Sequence, residues 1–147
     1  MTKKMPKRNI RPGIDKYGRS DLHYAIVEND EDKVMKLIQN GFDINLPDDN
    51  GWTPLHFAAQ NYSEKIIKLL IESGANINST DAYGNTPLFK AVFNSKGKNL
   101  KILDLFINAG ANLQKKNKSM VSVIDLVNTI DDLELKEFFK TKKQLNI

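Results

Sequence analysis

The sequence predicts an all-α fold, a solenoid of repeated helix-turn-helix units, on three observations. Glycine recurs at an interval of 33 residues, at Gly18, Gly51 and Gly84. Each interval contains two short segments whose apolar residues have helical spacing. The chain has no cysteine, so a disulfide framework is excluded. Such a period is typical of units that bury their apolar faces only by stacking on one another. Three further sets keep it: Asp15, Asp48 and Asp81; Leu22, Leu55 and Leu88; and Ala25, Ala58 and Ala91.

The second unit shows the predicted elements most clearly. Its first helix begins at Thr53 and Pro54, because proline is tolerated where first-turn amides have no partner within the helix. Its second helix has an apolar face from Ile66 to Ile71. Gly74 suits the left-handed residue that follows a helix. A loop then leads to the next unit.

The period also places the unit boundaries. The third unit is three residues longer than the others, and the polar stretch from Asn94 to Asn99 is where the insertion falls. The insertion either adds a contact loop or is a neutral change of length. The predicted repeat domain, 15–140, comprises units at about 15–47, 48–80 and 81–116 and a degenerate C-terminal cap at 117–140.

Basic residues are concentrated at the ends of the chain. Residues 1–14 carry five cations and no acid, whereas residues 15–114 carry 10 basic and 13 acidic side chains. We expect residues 1–14 to form a flexible basic segment and residues 141–147 a C-terminal tail. The basic segment suits an alternative function, an adaptor for nucleic acid or an anionic surface. No aromatic residue interleaves it, so base stacking is unsupported and nucleic acid is not the favoured partner.

The stretch from Asp48 to Ala59 resembles the signature of ankyrin repeats. The segment from Asp81 to Leu88 repeats that signature, and residues 74–78 resemble the exit from the family's second helix. The resemblance is strong over residues 15–114 and weak over 115–140. It implies an ankyrin-repeat solenoid with β-hairpin-like finger loops and a concave face that binds protein partners.

Neither a catalytic nor a metal site is expected. His23 and His56 lie one repeat apart, so they occupy equivalent positions. The family resemblance implies that this histidine hydrogen-bonds the loop backbone between units. The acidic run 30–32 lies where a helix begins, and the helix dipole explains it. No nucleophile elbow, phosphate-cradling loop or calcium loop occurs. We therefore predict a non-enzymatic protein without a cofactor.

The resemblance also implies which side chains face a partner: those at the hairpin tips and on the exposed side of each first helix. Half of the 12 aromatic residues fall on this surface, a composition typical of interface hot spots. The alternative is that these aromatics, Trp52 above all, pack against neighbouring units. The predicted partner-binding residues are Tyr17, Arg19, Asp49, Asn50, Trp52, Phe57, Gln60, Asn61, Tyr83, Asn85, Lys90 and Phe93.

We expect a non-catalytic protein–protein interaction module that is monomeric when unbound. No apolar run long enough for a membrane span and no secretory signal is evident, so the expected location is the cytoplasm. A composition rich in Lys, Asn and Ile suggests a bacterial source. Small bacterial ankyrin proteins resemble immunity proteins that neutralise a toxin, and the acidic body suits a basic toxin. A host-directed effector and a viral regulator are the other interpretations.

Overall fold

The computed structural model describes residues 11–95 and 98–145, with side chains up to residue 143. The predictions for residues 1–10 and for Lys96 and Gly97 of the insertion lie outside the described residues. The described part of the chain forms eight helices in four consecutive pairs. These are α1 (Asp21–Val27), α2 (Glu31–Gln39), α3 (Pro54–Asn61), α4 (Glu64–Glu72), α5 (Pro87–Ser95), α6 (Leu100–Asn108), α7 (Val123–Thr129) and α8 (Leu133–Leu145).

Local sequence explains where these helices begin. Thr53 is the N-cap of α3 and Pro54 its first residue, as predicted. The Asp30 side chain accepts the Lys33 amide hydrogen at 3.0 Å and so caps α2. Asn99 caps α6 in the same way, and it is the last residue of the polar stretch in which the insertion falls. Asn94 and Ser95, the first two residues of that stretch, end α5, so its described residues lie at the junction of the two helices of the third pair.

The helices form two parallel rows. The first helices of successive pairs, α1, α3, α5 and α7, contact one another in order and form the inner row. The second helices, α2, α4, α6 and α8, form the outer row in the same order. The core lies between the rows, and equivalent residues such as Leu22, Leu55 and Leu88 are fully buried in it. The predicted all-α solenoid is confirmed.

Polar side chains close both ends of the stack. Ile66, Ile102 and Leu135 occupy equivalent buried positions in the last three pairs, but the first pair has the exposed Lys33 there. Lys140 likewise stands in the last pair where Ile107 is buried in the third. In the described stack the first and last pairs each have one side without a neighbouring pair, and a polar residue there avoids exposing apolar surface.

The last helix is longer than the other seven, with 13 residues. It continues through residues 141–145, which the sequence analysis assigned to the tail. Among the described residues, none of the helices combines the length and apolar character that crossing a bilayer requires.

Candidate functional site

Four tight turns project from one edge of the stack, one before each inner helix. Each begins with Asp15, Asp48, Asp81 or Asn117, whose Oδ1 accepts backbone amide hydrogens from the residues two and four positions later, at 2.8–3.0 Å. The backbone of each starting residue also bonds the residue four positions on, at 2.9–3.0 Å. Such side-chain-to-backbone bonds hold a turn without a strand ladder. We call these four turns, 15–19, 48–52, 81–85 and 117–121, the fingers.

The fingers are joined to one another through their backbones. The Asp49 amide donates to the Tyr17 carbonyl oxygen at 2.8 Å, and the Lys118 amide donates to that of Tyr83 at 3.0 Å. Between them, the Ala82 amide donates to the Asn50 carbonyl oxygen at 2.9 Å. The tips thus form one continuous, rigid edge. Tyr17 and Tyr83 stand out from it with 50% and 69% of their surface exposed.

The close spacing of the fingers explains the periodic glycine. Gly51 has a φ of +77°, and a Cβ there would lie 2.9 Å from the Ala82 backbone nitrogen. Any side chain would therefore be strained twice, by its backbone conformation and by the next finger. Met120 takes the same position in the last finger with a φ of +62°. The Met120 side chain is 67% exposed, so it is not crowded and only the backbone strain remains.

The second oxygen of each finger aspartate is also engaged. Asp48 Oδ2 lies 3.2 Å from Arg19 Nε, and Asp81 Oδ2 lies 3.2 Å from Lys90 Nζ. Tyr24 donates a short hydrogen bond to Asp15 Oδ2, which lowers the pKa of that carboxyl. These carboxylates therefore form contacts within the stack, and a partner cannot pair with them without breaking those contacts.

A cluster of rings lies behind the fingers, on the floor of the surface. Trp52 stacks on His56 with ring centroids 6.2 Å apart and meets the edge of Phe57 at 5.1 Å. Lys90 Nζ lies 4.8 Å from the centroid of the Trp52 ring, and Arg19 Cζ lies 5.1 Å from that of Phe57. Cation–π contacts of this kind add to the ion pairs that hold the fingers.

Three of the predicted partner-binding residues belong to this cluster and are covered in whole or in part by their neighbours. Phe57 is only 8% exposed, because it packs between His23 of the first unit and Trp52, and it does not face solvent. Lys90 has 18% of its side chain exposed and is held by Asp81 and the Trp52 ring. Trp52 is half-buried beneath Lys90. All three support the surface from below.

Two predicted asparagines also join neighbouring units. Asn61 Nδ2 donates to the carbonyl oxygens of Ile26 and Val27 in the preceding unit, at 3.1 and 3.3 Å. Asn85 Oδ1 accepts a hydrogen bond from Asn117 Nδ2 at 2.9 Å. Their amides are thus tied into the stack. Only part of each side chain remains available to a partner.

Both histidines connect a helix start to the following loop. Nδ1 of His56 accepts from the Thr53 amide at 3.1 Å, and its Nε2 donates to the Asn85 carbonyl oxygen at 2.9 Å. His23 repeats the arrangement with Ser20 and Leu46. Both rings are fully buried, and this burial lowers the pKa of each. The geometry is that of a structural bridge to the loop backbone, as the family resemblance implied.

A comparison with protein-family models matches residues 7–117 to a model described as ankyrin repeats, in three copies. The match covers the first three helix pairs and all but the last finger. The chain belongs to the ankyrin-repeat family. Ankyrin repeats are generally protein–protein interaction modules, and the family is generally non-catalytic. The comparison with curated proteins gave no match.

Seven of the 12 predicted ankyrin-surface residues are exposed, namely Tyr17, Asp49, Asn50, Gln60, Asn61, Tyr83 and Phe93. Asn50 lies on the second finger between Tyr17 and Tyr83, and Gln60 and Phe93 lie at equivalent positions near the ends of α3 and α5. Phe93 is 60% exposed. Asp49 is exposed too but forms an ion pair with Arg11 at 3.7 Å. Arg19 is half-buried and paired with Asp48.

Lys16, Val27 and Lys118 are among the exposed side chains of this ankyrin surface that the predicted partner-binding set does not include. Lys16 and Lys118 occupy the same finger position as Asp49, and Val27 occupies that of Gln60 and Phe93. Carrying the repeat period into the last unit, with its three-residue offset, would have identified Lys118.

No group of three or more histidine and carboxylate side chains in the described ranges is arranged to hold a metal ion. A cavity of about 440 Å³ lies where α6 ends, lined by residues that include Asn78, Asn112 and Lys143. Polar groups of its lining form hydrogen bonds between neighbouring loops: Asn78 Oδ1 accepts the Asn112 amide hydrogen at 2.8 Å. The ankyrin surface itself presents exposed aromatic and polar side chains, among them Tyr17, Tyr83 and Asn50.

Proposed function

We propose that this ankyrin-repeat chain binds a protein partner through the fingers and the adjoining inner-helix side chains. The observation that carries the proposal is the exposure of Tyr17 and Tyr83, at 50% and 69%, on a hydrogen-bonded finger edge. Exposed aromatic rings on a rigid support lose little conformational entropy on binding. Asn50, Gln60 and Phe93 extend the same surface toward the inner helices.

The ring cluster behind the fingers supports this function indirectly. Trp52 and Phe57 fill the floor, and Arg19 and Lys90 tie that floor to the finger aspartates. The tips are thereby held in place before a partner arrives. We therefore assign binding to the exposed tips and stability to the cluster beneath them.

Neutralising a toxin is the specific form of binding that the sequence suggests, and its support is the family resemblance alone. The proposal also retains the repeat domain at residues 15–140, a monomeric unbound state and a cytoplasmic location. Co-expression with a toxin encoded beside this protein tests the immunity role. Cell survival that requires Tyr17 and Tyr83 is the expected result, and survival without this protein would contradict it.

Affinity capture from native cells with two matched double variants tests the binding function. Tyr17→Ala/Tyr83→Ala removes both tip rings, whereas Met35→Ala/Lys68→Ala removes two exposed side chains of the outer helices. Both variants must keep the wild-type melting temperature. We expect one protein to be captured by the wild type and the outer-helix variant and lost from the finger variant. Equal capture by all three would move the site away from the fingers.

A further inference from the structure

We propose that the fingers recognise an acidic, extended segment of the partner protein, an inference that rests on the proposed function. The observation is the opposite charge of the two edges of the stack. The finger edge, residues 11–19, 48–52, 81–85 and 115–121, carries six cationic and four anionic side chains. The opposite edge is where inner helices turn into outer helices, and its described residues, 27–33, 60–65, 93–95, 98–101 and 129–134, carry four cationic and eight anionic side chains.

The charge that the finger edge presents to solvent is more positive than the count of six cationic and four anionic side chains suggests. Asp48 and Asp81 are buried, with 6% and 5% of their surface exposed, and both are ion-paired. Asp15 is held by Tyr24, and Asp49 lies beside Arg11. Lys16, Lys115, Lys116 and Lys118, in contrast, are exposed. A partner that approaches the tips therefore meets aromatic rings flanked by ammonium groups.

The acidic residues that made the body of the chain look suited to a basic partner lie elsewhere. Glu28, Asp30 and Asp32 are exposed at the opposite edge of the first unit, and Asp131 and Glu134 at that of the last. Charge complementarity steers encounter and rejects wrong partners, so its sign at the fingers decides which segment docks there. That sign selects an acidic segment.

Recognition at the tips must use side chains. The amides of Asp49, Ala82 and Lys118 and the carbonyl oxygens of Tyr17, Asn50 and Tyr83 are paired between fingers. A strand added by backbone pairing therefore finds these groups occupied. The edge from the first finger to the last spans three inter-unit steps of about 10 Å each, a distance that roughly nine extended residues cover.

The order of charges along the tips favours a protein over a nucleic acid. Lys16 begins the row and Lys118 ends it, but Asp49 beside Arg11 and the uncharged Ala82 lie between them. A phosphodiester backbone carries one negative charge at every nucleotide, so it would meet the Asp49 carboxylate in the middle of the row. A peptide can place its carboxylates at the two ends and uncharged residues in the middle.

Three synthetic peptides of 12 residues test the inference. In each of them serine alternates with one other residue, which is Glu, Gln or Lys. A 12-nucleotide oligothymidine is the nucleic-acid probe. Binding is measured at low salt by two-dimensional nuclear magnetic resonance, from shifts of the backbone amides of residues 16, 17, 83 and 118. We expect only the Glu peptide to shift these amides saturably, and the shift to disappear in high salt.

Matched lysine variants locate that binding. Lys16→Gln/Lys118→Gln should weaken the Glu peptide about fivefold, because two surface charge contacts are lost. Lys36→Gln/Lys68→Gln removes two exposed outer-helix lysines and should leave affinity unchanged. Equal affinity in both variants, no shift with millimolar Glu peptide, or a finger response to the Lys peptide would overturn the inference. Tighter finger binding of oligothymidine would overturn it in favour of nucleic acid.

The two hypotheses fail in different experiments. If partner capture is lost on replacing Tyr17 and Tyr83 but is unchanged in the lysine variants, the acidic segment is rejected and the proposed function is kept. Partner capture that ignores the tyrosines would reject the proposed function itself.

Discussion

Nε2 of His56 donates a hydrogen bond to the Asn85 carbonyl oxygen at 2.9 Å, and this bond joins the second inner helix to the third finger. The ring is fully buried, and its other nitrogen accepts from Thr53. One side chain therefore satisfies a helix start and a loop carbonyl in different units. Its partners account for the recurrence of histidine at one-repeat spacing.

Replacing His56 should lower stability. His56→Ala removes these bonds and leaves a cavity, so we expect the free energy of unfolding to fall by about 3 kcal/mol. Urea denaturation measures the change. Glu72→Ala, at an exposed outer-helix position, is the control and should be nearly neutral. An unchanged midpoint for His56→Ala would contradict the structural role.

Stability should decrease below neutral pH because of the buried histidines. Burial lowers the pKa of His23 and His56 from 6.5, so the unfolded chain binds more protons than the folded one as the solution acidifies. The stabilising difference is complete above pH 6.5 and is lost as pH falls from there through the lower folded pKa. Each histidine contributes a slope of at most about 1.4 kcal/mol per pH unit. Urea denaturation between pH 8 and 5 measures this slope.

The control for this prediction is His56→Gln, which cannot titrate. Its slope should be about half that of the wild type over the same pH range, since His23 remains. A wild-type free energy that stays constant from pH 8 to 5, or a variant slope equal to the wild-type slope, would show that the histidines are not responsible.

Three positions with a positive φ, Gly51, Gly74 and Met120, separate backbone strain from crowding. Gly74 has a φ of +91° and nothing within 4 Å of an added Cβ, whereas Gly51 is also crowded by the next finger. We expect Gly74→Ala to cost about 1 kcal/mol and Gly51→Ala about 3 kcal/mol. Met120→Gly should stabilise, because it relieves a φ of +62° without a neighbouring finger. Thermal denaturation gives the order, and equal costs at Gly51 and Gly74 would contradict the crowding.

Removing Lys90 should destabilise the third finger and expose Trp52. Lys90→Ala leaves the buried Asp81 carboxylate without its cation and uncovers the indole ring. We expect a loss of about 3 kcal/mol in the free energy of unfolding and a red shift of the tryptophan emission. Trp52 is the only tryptophan in the chain, so fluorescence reports this position directly.

A compensating substitution tests the cause. Asn117 holds the last finger with the same two backbone bonds that Asp81 makes in the third. Asp81→Asn combined with Lys90→Ala should therefore recover most of the lost stability, because the turn is kept and the buried charge is removed. The red shift should persist in the double variant. A double variant as unstable as Lys90→Ala would contradict the role of charge.

The repeat period predicted the helices well, because each unit's apolar positions must face its neighbours in the stack. Pro54 and Gly74 mark boundaries that the structure keeps, since their effects on the backbone are local. The surface was predicted less well. Phe57 is in register with Tyr24 and Lys90, which are half-buried, yet its own ring is buried. The repeat position alone did not determine exposure, because the residues of adjacent fingers decide what covers each ring.

The sequence by itself determined the family, the helix pairs and the structural role of the histidines, because these follow from periodicity and from short-range backbone preferences. Only the tertiary structure decided which charges and rings remain available to a partner. Arg19 and Asp48 are 29 residues apart along the chain, and Lys90 and Trp52 belong to different units, so both contacts form only when the units stack. Stacking thus engages the charges of Arg19, Asp48 and Lys90 in contacts within the protein. It leaves Lys16, Tyr17, Tyr83 and Lys118 exposed. A residue's availability is set by what packs beside it, and no local pattern contains that information.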